Sequence, residues 1–476
     1  MDLDPGRGPS VSPVTTPTVV PGPREHLLGA RYRGATTGAF TLVFLAAFEA
    51  LAVATVMPEV TADLDGRQWY AVAFSATLAA SVVGMVATGA WADRVGAVKP
   101  LLATVGGFGA GLLVAGLAPG IEVLVVGRFL QGLGAGGLTV ALYVLVGQVF
   151  DPPDRPRVLG VFALAWVLPG LVGPLLAGVV ADTVGWRWVF LGVVGLAGAA
   201  LAALVPSLRR VDPPVRPDAD PHDDRAATPA RRAGVRRLGL AAVVAAAVVG
   251  LNLAGSLDGA ARAAAGAVAL AVAVVAVRPL LPPATLRLAR GLPAVVGVRG
   301  LLGGAFFASE AYLPYLLQEQ YAVSVAVSGL VLTAATLGWA AASQVQGRLG
   351  DRLADERALA LGPVLVTSGI AAVLVATALG LHPLVIGLGW TLTASGMGLA
   401  FPRTTNAVLA RTSPSERGSA SSALTISDAV GAASSVAVVG LVFTAVGTAA
   451  DRSAFVAVLG CTVAVGALAV FAGRRT

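Results

Sequence analysis

The 476-residue sequence has a single cysteine, three histidines and only 12% charged residues. One cysteine, Cys461, excludes a disulfide-stapled secreted scaffold, because a bridge needs two. The scattered His26, His222 and His382 build no metal site, and no zinc-ligand spacing, phosphate loop or nucleophile–base pair interrupts the text, so neither a cofactor nor an enzyme is expected. Aromatic residues, at 6%, supply little for a large stacking pocket. The scarcity of charge stands against 56% hydrophobic residues and a mean hydropathy of +0.81, which excludes both a soluble domain and a disordered chain. A polytopic membrane protein remains.

The net charge of +7 could suggest nucleic acid, but the basic residues sit between apolar segments and form no readout motif, so nucleic acid is not an expected partner. Residues 1–36, rich in proline and charge, are read as a flexible cytoplasmic tail. After them come unbroken apolar stretches, and in hydrocarbon such stretches close their backbone hydrogen bonds as helices. The spans are drawn at 37–59, 68–92, 100–118, 121–150, 158–181 and 187–208, then 238–255 and 263–277, then 294–318, 324–349, 358–380, 383–402, 418–444 and 453–473. The expected fold is therefore all-α and polytopic: fourteen transmembrane helices, in two six-helix bundles (37–208 and 294–476) separated by a cytoplasmic linker (209–237) and an inserted helix pair with its connecting loop (238–293).

Orientation follows from the bias of basic residues toward the cytoplasm. Of 33 Lys and Arg residues, only Arg67, Arg187, Arg262 and Arg452 fall on the far side when the N-terminus is inside, and Arg128 alone is placed well inside a span. Both termini are then cytoplasmic, in a multi-pass protein of the cytoplasmic membrane, and a monomer is expected.

The halves repeat one another. Gly89-Ala90-Trp91-Ala92-Asp93-Arg94 follows the second span, and Gly347-Arg348-Leu349-Gly350-Asp351-Arg352 follows the second span of the last six. Each lies at a similar interval beyond a membrane-embedded glutamate, Glu49 or Glu310. A repeated half is the plan on which alternating-access transporters are built.

Glu49, Glu310 and Asp428 are the acids well inside spans, with Arg128 the base. An ionised group at mid-membrane costs about 2.5–3.5 kcal/mol on insertion scales, so such residues mark proton or substrate pathways. Glu49 and Arg128 lie at depths that allow a pair if their helices touch. Asp428 sits on a polar stripe with Ser421, Thr425 and Ser435, and Tyr312, Pro314 and Tyr315 follow Glu310 in what reads as an irregular helix. A structural alternative, interhelical hydrogen bonding by groups that never titrate, stays open. Gly132, Gly134, Gly136 and Gly137, and Gly170, Gly173 and Gly178 around Pro174, let helices approach closely, either as rocking contacts or as tight packing.

These residues resemble the major facilitator superfamily, most closely its fourteen-helix drug–proton antiporters. Gly89-Ala90-Trp91-Ala92-Asp93-Arg94-Val95-Gly96-Ala97-Val98-Lys99 is similar to the cytoplasmic loop the family uses as a conformational latch. Arg128-Phe129-Leu130-Gln131-Gly132-Leu133-Gly134-Ala135-Gly136 resembles its helix-four motif, whose arginine takes part in proton coupling. Pro169 to Gly178, through Gly173-Pro174, resembles the helix-five antiporter motif. The resemblance implies alternating access in which protons entering drive a small amphipathic molecule out. Glu49, Arg128, Glu310 and Asp428 would be the coupling residues, and Gly89, Asp93, Arg94, Gly96, Asp351 and Arg352 the latch. The implied partners are the small-molecule substrate, protons and the lipid bilayer. Uptake or facilitated diffusion on the same fold, and a nontransporting or lipid-handling membrane partner, are the alternatives.

Overall fold

A computed structural model describes residues 29, 32–151, 154–208, 224–413 and 416–476. The expected tail lies outside the described residues except for 29 and 32–36, and its last four positions belong to helix α1, which starts at Arg33 rather than after residue 36. Among the described residues, fourteen helices are each long and apolar enough to cross a membrane. The first six are α1 (Arg33–Asp63), α2 (Tyr70–Val95), α3 (Val98–Gly116), α4 (Ile121–Val149), α5 (Arg155–Val184) and α6 (Arg187–Leu208). The inserted pair is α7 (Asp224–Leu253) and α8 (Gly259–Val277). The last six are α9 (Leu292–Tyr321), α10 (Val325–Leu349), α11 (Asp355–Leu379), α12 (Pro383–Ala410), α13 (Arg417–Val446) and α14 (Arg452–Gly473).

Two boundaries differ from the sequence reading for physical reasons. The linker was expected to run to 237, but the chain is already helical at Asp224. Its Arg- and Ala-rich text forms a polar first half of α7, which apolar periodicity does not register. The span expected to end at 402 continues to Ala410, because Pro402 sits inside α12 without stopping it. Pro314 likewise lies within a continuous α9, so the irregular helix expected beyond Glu310 is not formed. Membrane helices tolerate such prolines because neighbouring groups satisfy the freed carbonyls.

The two sets of six pack in the same pattern. In the first, α1 packs on α5 and α6, α4 on α2 and α3, and α3 on α6; in the last, α9 packs on α13 and α14, α12 on α10 and α11, and α11 on α14. The seams between the sets are also paired, α2 with α13 and α5 with α10. The two halves are thus related by a pseudo-two-fold, and only the α2–α13 seam receives the inserted pair, through α7.

Lipid tails are as apolar as the side chains, so contact between helices depends on close packing rather than on escape from water. Gly132 and Gly136 of α4 lie directly against the backbone of α2 at Thr77 and Ser81, with no room for a Cβ. Gly111 and Gly134 do the same between α3 and α4.

Candidate functional site

Arg94, Lys99, Arg155, Arg157, Arg348 and Arg411 mark one end of the bundle, here the basic face. The structure brings Glu49 of α1 and Arg128 of α4 together about halfway along α1. An Arg128 Nη1 hydrogen donates to Glu49 Oε1, and both side chains are only 4% exposed. Arg128 also donates to Gln131 Oε1 at 2.8 Å and, through Nε, to the Ala73 carbonyl of α2 at 3.3 Å. Three helices therefore hold one neutral, dehydrated pair. Gln131 Nε2 has no hydrogen-bond partner among the described residues.

Asp428 of α13 does not stand alone. Arg299 of α9 lies 3.6 Å away through Nε, donates to Thr404 Oγ1 at 2.8 Å and to the Phe401 carbonyl at 3.1 Å, and stacks on the Phe401 ring. Tyr143 of α4, more than half exposed, lies within electrostatic reach of Arg299 across the gap between the halves. Tyr143 also lines, with Trp166, Phe162, Leu142, Val43 and Ala46, a small recess between α1, α4 and α5.

Arg128 is thus not the only base buried within a span. Arg403 is buried too and the Arg299 side chain is only 11% exposed, and both stood near the ends of predicted spans, where an arginine ordinarily extends its head toward water. Arg403 of α12 bonds Gln346 Oε1, the Gln346 and Gly350 carbonyls and Asp355 Oδ1, and so fastens the turn between α10 and α11. The signal available in the sequence was the opposite charge on a facing helix, Asp428 for Arg299.

Glu310 of α9 has neither a hydrogen bond nor an ion pair among the described residues. It shares a helix face with Phe307, Pro314 and Gln318, and Gln318 donates across the gap to the Thr55 carbonyl of α1 at 3.0 Å. That face looks toward the other half.

The contacts joining the halves gather at the end opposite the basic face. Arg67 pairs with Glu319 at 2.7 Å, the Tyr70 hydroxyl donates to the Ala311 carbonyl, and the Ala326 amide donates to Asp182. Tyr70 stacks on Tyr315, 4.5 Å between centroids, in a cluster that includes Tyr312, Phe443 and Phe455. Pro174 presents its carbonyl to Gly329 of α10, and Gly173 faces Phe48, so the helix-five motif lies partly in the seam.

At the basic face, Asp93 and Arg94 are exposed and make no ion pair among the described residues. Gly96 ends α2 with φ +79° and Gly350 ends α10 with φ +49°. Gly89 faces only Val140. The repeats diverge here: Asp93 and Arg94 lie in the last turn of α2, whereas Asp351 and Arg352 follow the end of α10 in a 3-10 turn. Arg352 is exposed, and the Asp351 side chain lies outside the described residues.

Residues 39–309 match the sequence profile of the Major Facilitator Superfamily. Among curated proteins, the chain is 31% identical over 170 residues to an acurin A biosynthesis cluster MFS-type transporter of Aspergillus aculeatus, covering 36% of this chain and 31% of that one. It is 35% identical over 163 residues to the MFS efflux transporter aclA of Aspergillus oryzae, covering 34% and 29%. An uncharacterized MFS-type transporter of Mycobacterium tuberculosis is 32% identical over 211 residues, covering 44% and 31%. The matched stretch thus spans about a third of these relatives. Among solved structures, the peptide transporter POT in complex with sulfate superposes with a TM-score of 0.64 at 17% identity, covering 91% of this chain and 94% of that one. A POT family transporter in complex with 5-aminolevulinic acid gives 0.66 at 12% identity, covering 92% and 94%. At these identities the structures speak for the fold.

Proposed function

Since the chain belongs to the major facilitator superfamily, we propose that this multi-pass transporter exports small amphipathic compounds across the cytoplasmic membrane in exchange for protons. The observation that carries the reading is the buried Glu49–Arg128 pair held by α1, α2 and α4. The efflux names of several relatives support the direction.

By the bias of basic residues toward the cytoplasm, the basic face is cytoplasmic. The conformation is then closed outside, by Arg67–Glu319 and the tyrosine cluster, and open inside, where Asp93 and Arg94 are unlatched. A proton arriving at Glu49 neutralises the carboxylate and leaves Arg128 uncompensated in a medium where an unpaired charge is costly. Arg128 keeps Gln131 and the Ala73 carbonyl, but the pair that ties α1 to α4 is lost. Protonation thereby changes the relative energy of the two conformations, as coupling requires. Glu310 supplies a second carboxylate on the face between the halves, suited to a proton or to the positive group of a substrate. Arg299–Asp428 offers a pair on the inward side.

The test is flux in reconstituted vesicles of fixed polarity, with a panel of amphipathic cations and neutral compounds. Export requires that substrate accumulate on the side that protons leave, and that Glu49→Gln abolish the accumulation while the protein remains folded. Substrate moving with protons would replace export by uptake. Gradient-independent equilibration would replace it by facilitated diffusion, and no flux for any compound would favour a nontransporting membrane role.

A further inference from the structure

One polar side chain of the inserted pair bonds α2 two residues from the carbonyl that Arg128 uses. Asn252, near the end of α7, donates from Nδ2 to the Ser75 hydroxyl of α2 at 2.7 Å and to the Val248 carbonyl at 2.8 Å. Ser75 is fully buried, two residues from Ala73, whose carbonyl accepts from Arg128 Nε. Asn252 Oδ1 and the Tyr312 hydroxyl both lie 3.6 Å from where a Cβ on Gly440 of α13 would stand. Asn252 therefore sits where α2 of one half meets α9 and α13 of the other. Around it, Ala79 of α2, Val248 and Leu251 of α7, and Ala433 and Ala437 of α13 form one apolar cluster. The pair is also pinned to α13, because Arg262 of α8 donates to the Thr444 carbonyl at 3.2 Å.

A polar amide in this apolar seam is expensive unless it does something that an aliphatic residue could not. We propose that Asn252 is a positioning residue: by fixing Ser75 it holds the Ala73 carbonyl under Arg128, and through α13 it ties the geometry of the Glu49–Arg128 pair to closure of the α2–α13 seam. The inserted pair then takes part in coupling rather than merely covering the bundle. When the halves rock, α2 and α13 separate at the end opposite the basic face, and Asn252 must release either Ser75 or the neighbourhood of Gly440. Either release alters the support of Arg128. The ionisable groups carried away from the helix ends by the elements around Arg128 are Glu49 and Glu59 of α1 and Tyr143 of α4, with Tyr70 opening α2, and of these only Glu49 bonds to it.

The inference rests on Glu49 being the proton carrier, and the experiment separates the two. Proton-driven flux is measured against pH in vesicles for wild type, Asn252→Leu, Ser75→Ala, their double variant and Glu49→Gln, with melting temperature recorded for each. Asn252→Leu is expected to move the midpoint of the profile to higher pH by about half a unit, the scale of one hydrogen bond acting on a neighbouring charge. Ser75→Ala should move it equally, the double variant no further, and Asn252→Gln should restore part of the shift. A double variant showing the sum of the two shifts overturns the inference, and so does an unchanged midpoint in Ser75→Ala, even if Asn252→Leu proves too unstable to assay. If Glu49→Gln keeps the wild-type profile, the proton-carrier reading fails, and this inference fails with it.

Discussion

Arg128 and Glu49 form an ion pair in which each side chain is only 4% exposed, with Gln131 and the Ala73 carbonyl as the further acceptors on the arginine. Removing one partner of such a pair leaves a dehydrated charge and costs about 3–5 kcal/mol, whereas removing both costs far less. Arg128→Leu should therefore melt well below wild type, and Arg128→Leu with Glu49→Gln should recover most of the loss. Thermal unfolding in detergent checks this. Additive losses in the double variant would mean that the two residues do not act as a pair.

Glu310 presents the opposite case, because no ion pair is lost when it is neutralised. Glu310→Gln should melt close to the wild-type temperature, since the carboxyl is only partly buried and has no hydrogen bond or ion pair among the described residues to lose. Proton-driven flux of cationic substrates should fall by an order of magnitude or more while neutral substrates are affected less. Equal loss for both classes would assign Glu310 to proton movement rather than to substrate charge.

The spans were legible because apolar runs of this length have one solution in a bilayer, and all fourteen are helices. What escaped was the tertiary partner of each charge. Arg299 and Arg403 looked like flanking residues of predicted spans, and only the fold shows Arg299 against Asp428 and Arg403 turned inward onto Gln346 and Asp355. Asn252 was invisible for a related reason: the inserted pair was read by hydropathy, and a single amide does not disturb that reading. Glu49 and Arg128 could be suspected from depth alone, but their meeting required α1 and α4 to be neighbours, which no local pattern encodes.

Arg67 and Glu319, 49% and 25% exposed, join the turn that precedes α2 to α9 at the end opposite the basic face. A pair so accessible contributes about 0–1 kcal/mol, enough to shift a two-state equilibrium by up to about fivefold. Arg67→Glu should raise labelling at a cysteine placed at Gln318, in a Cys461→Ser background, by up to that factor. Arg67→Glu combined with Glu319→Arg should return it to the starting rate. Failure of the reversed pair to restore protection would show that the tyrosine cluster alone closes this end.

Arg403 sets a test of the second half. Its guanidinium donates to Gln346 Oε1 at 2.6 Å, to the Gln346 and Gly350 carbonyls at 2.8 and 2.9 Å, and to Asp355 Oδ1 at 3.0 Å. These acceptors are the end of α10, the residue at φ +49° that terminates it, and the first residue of α11. A cation there also faces the negative end of the α10 dipole. Leucine at 403 would leave the carbonyls and Asp355 without their donor, and hydrogen bonds to a charged group contribute about 1.5–3 kcal/mol each at most, with strong overlap among them. Arg403→Leu should therefore lower the melting temperature sharply. Arg403→Lys keeps the charge but cannot span four acceptors, because its donors radiate from one nitrogen, so its loss should be intermediate. If lysine matches wild type, charge alone suffices and the forked geometry is dispensable; if lysine is as harmful as leucine, the fork is what fastens the turn.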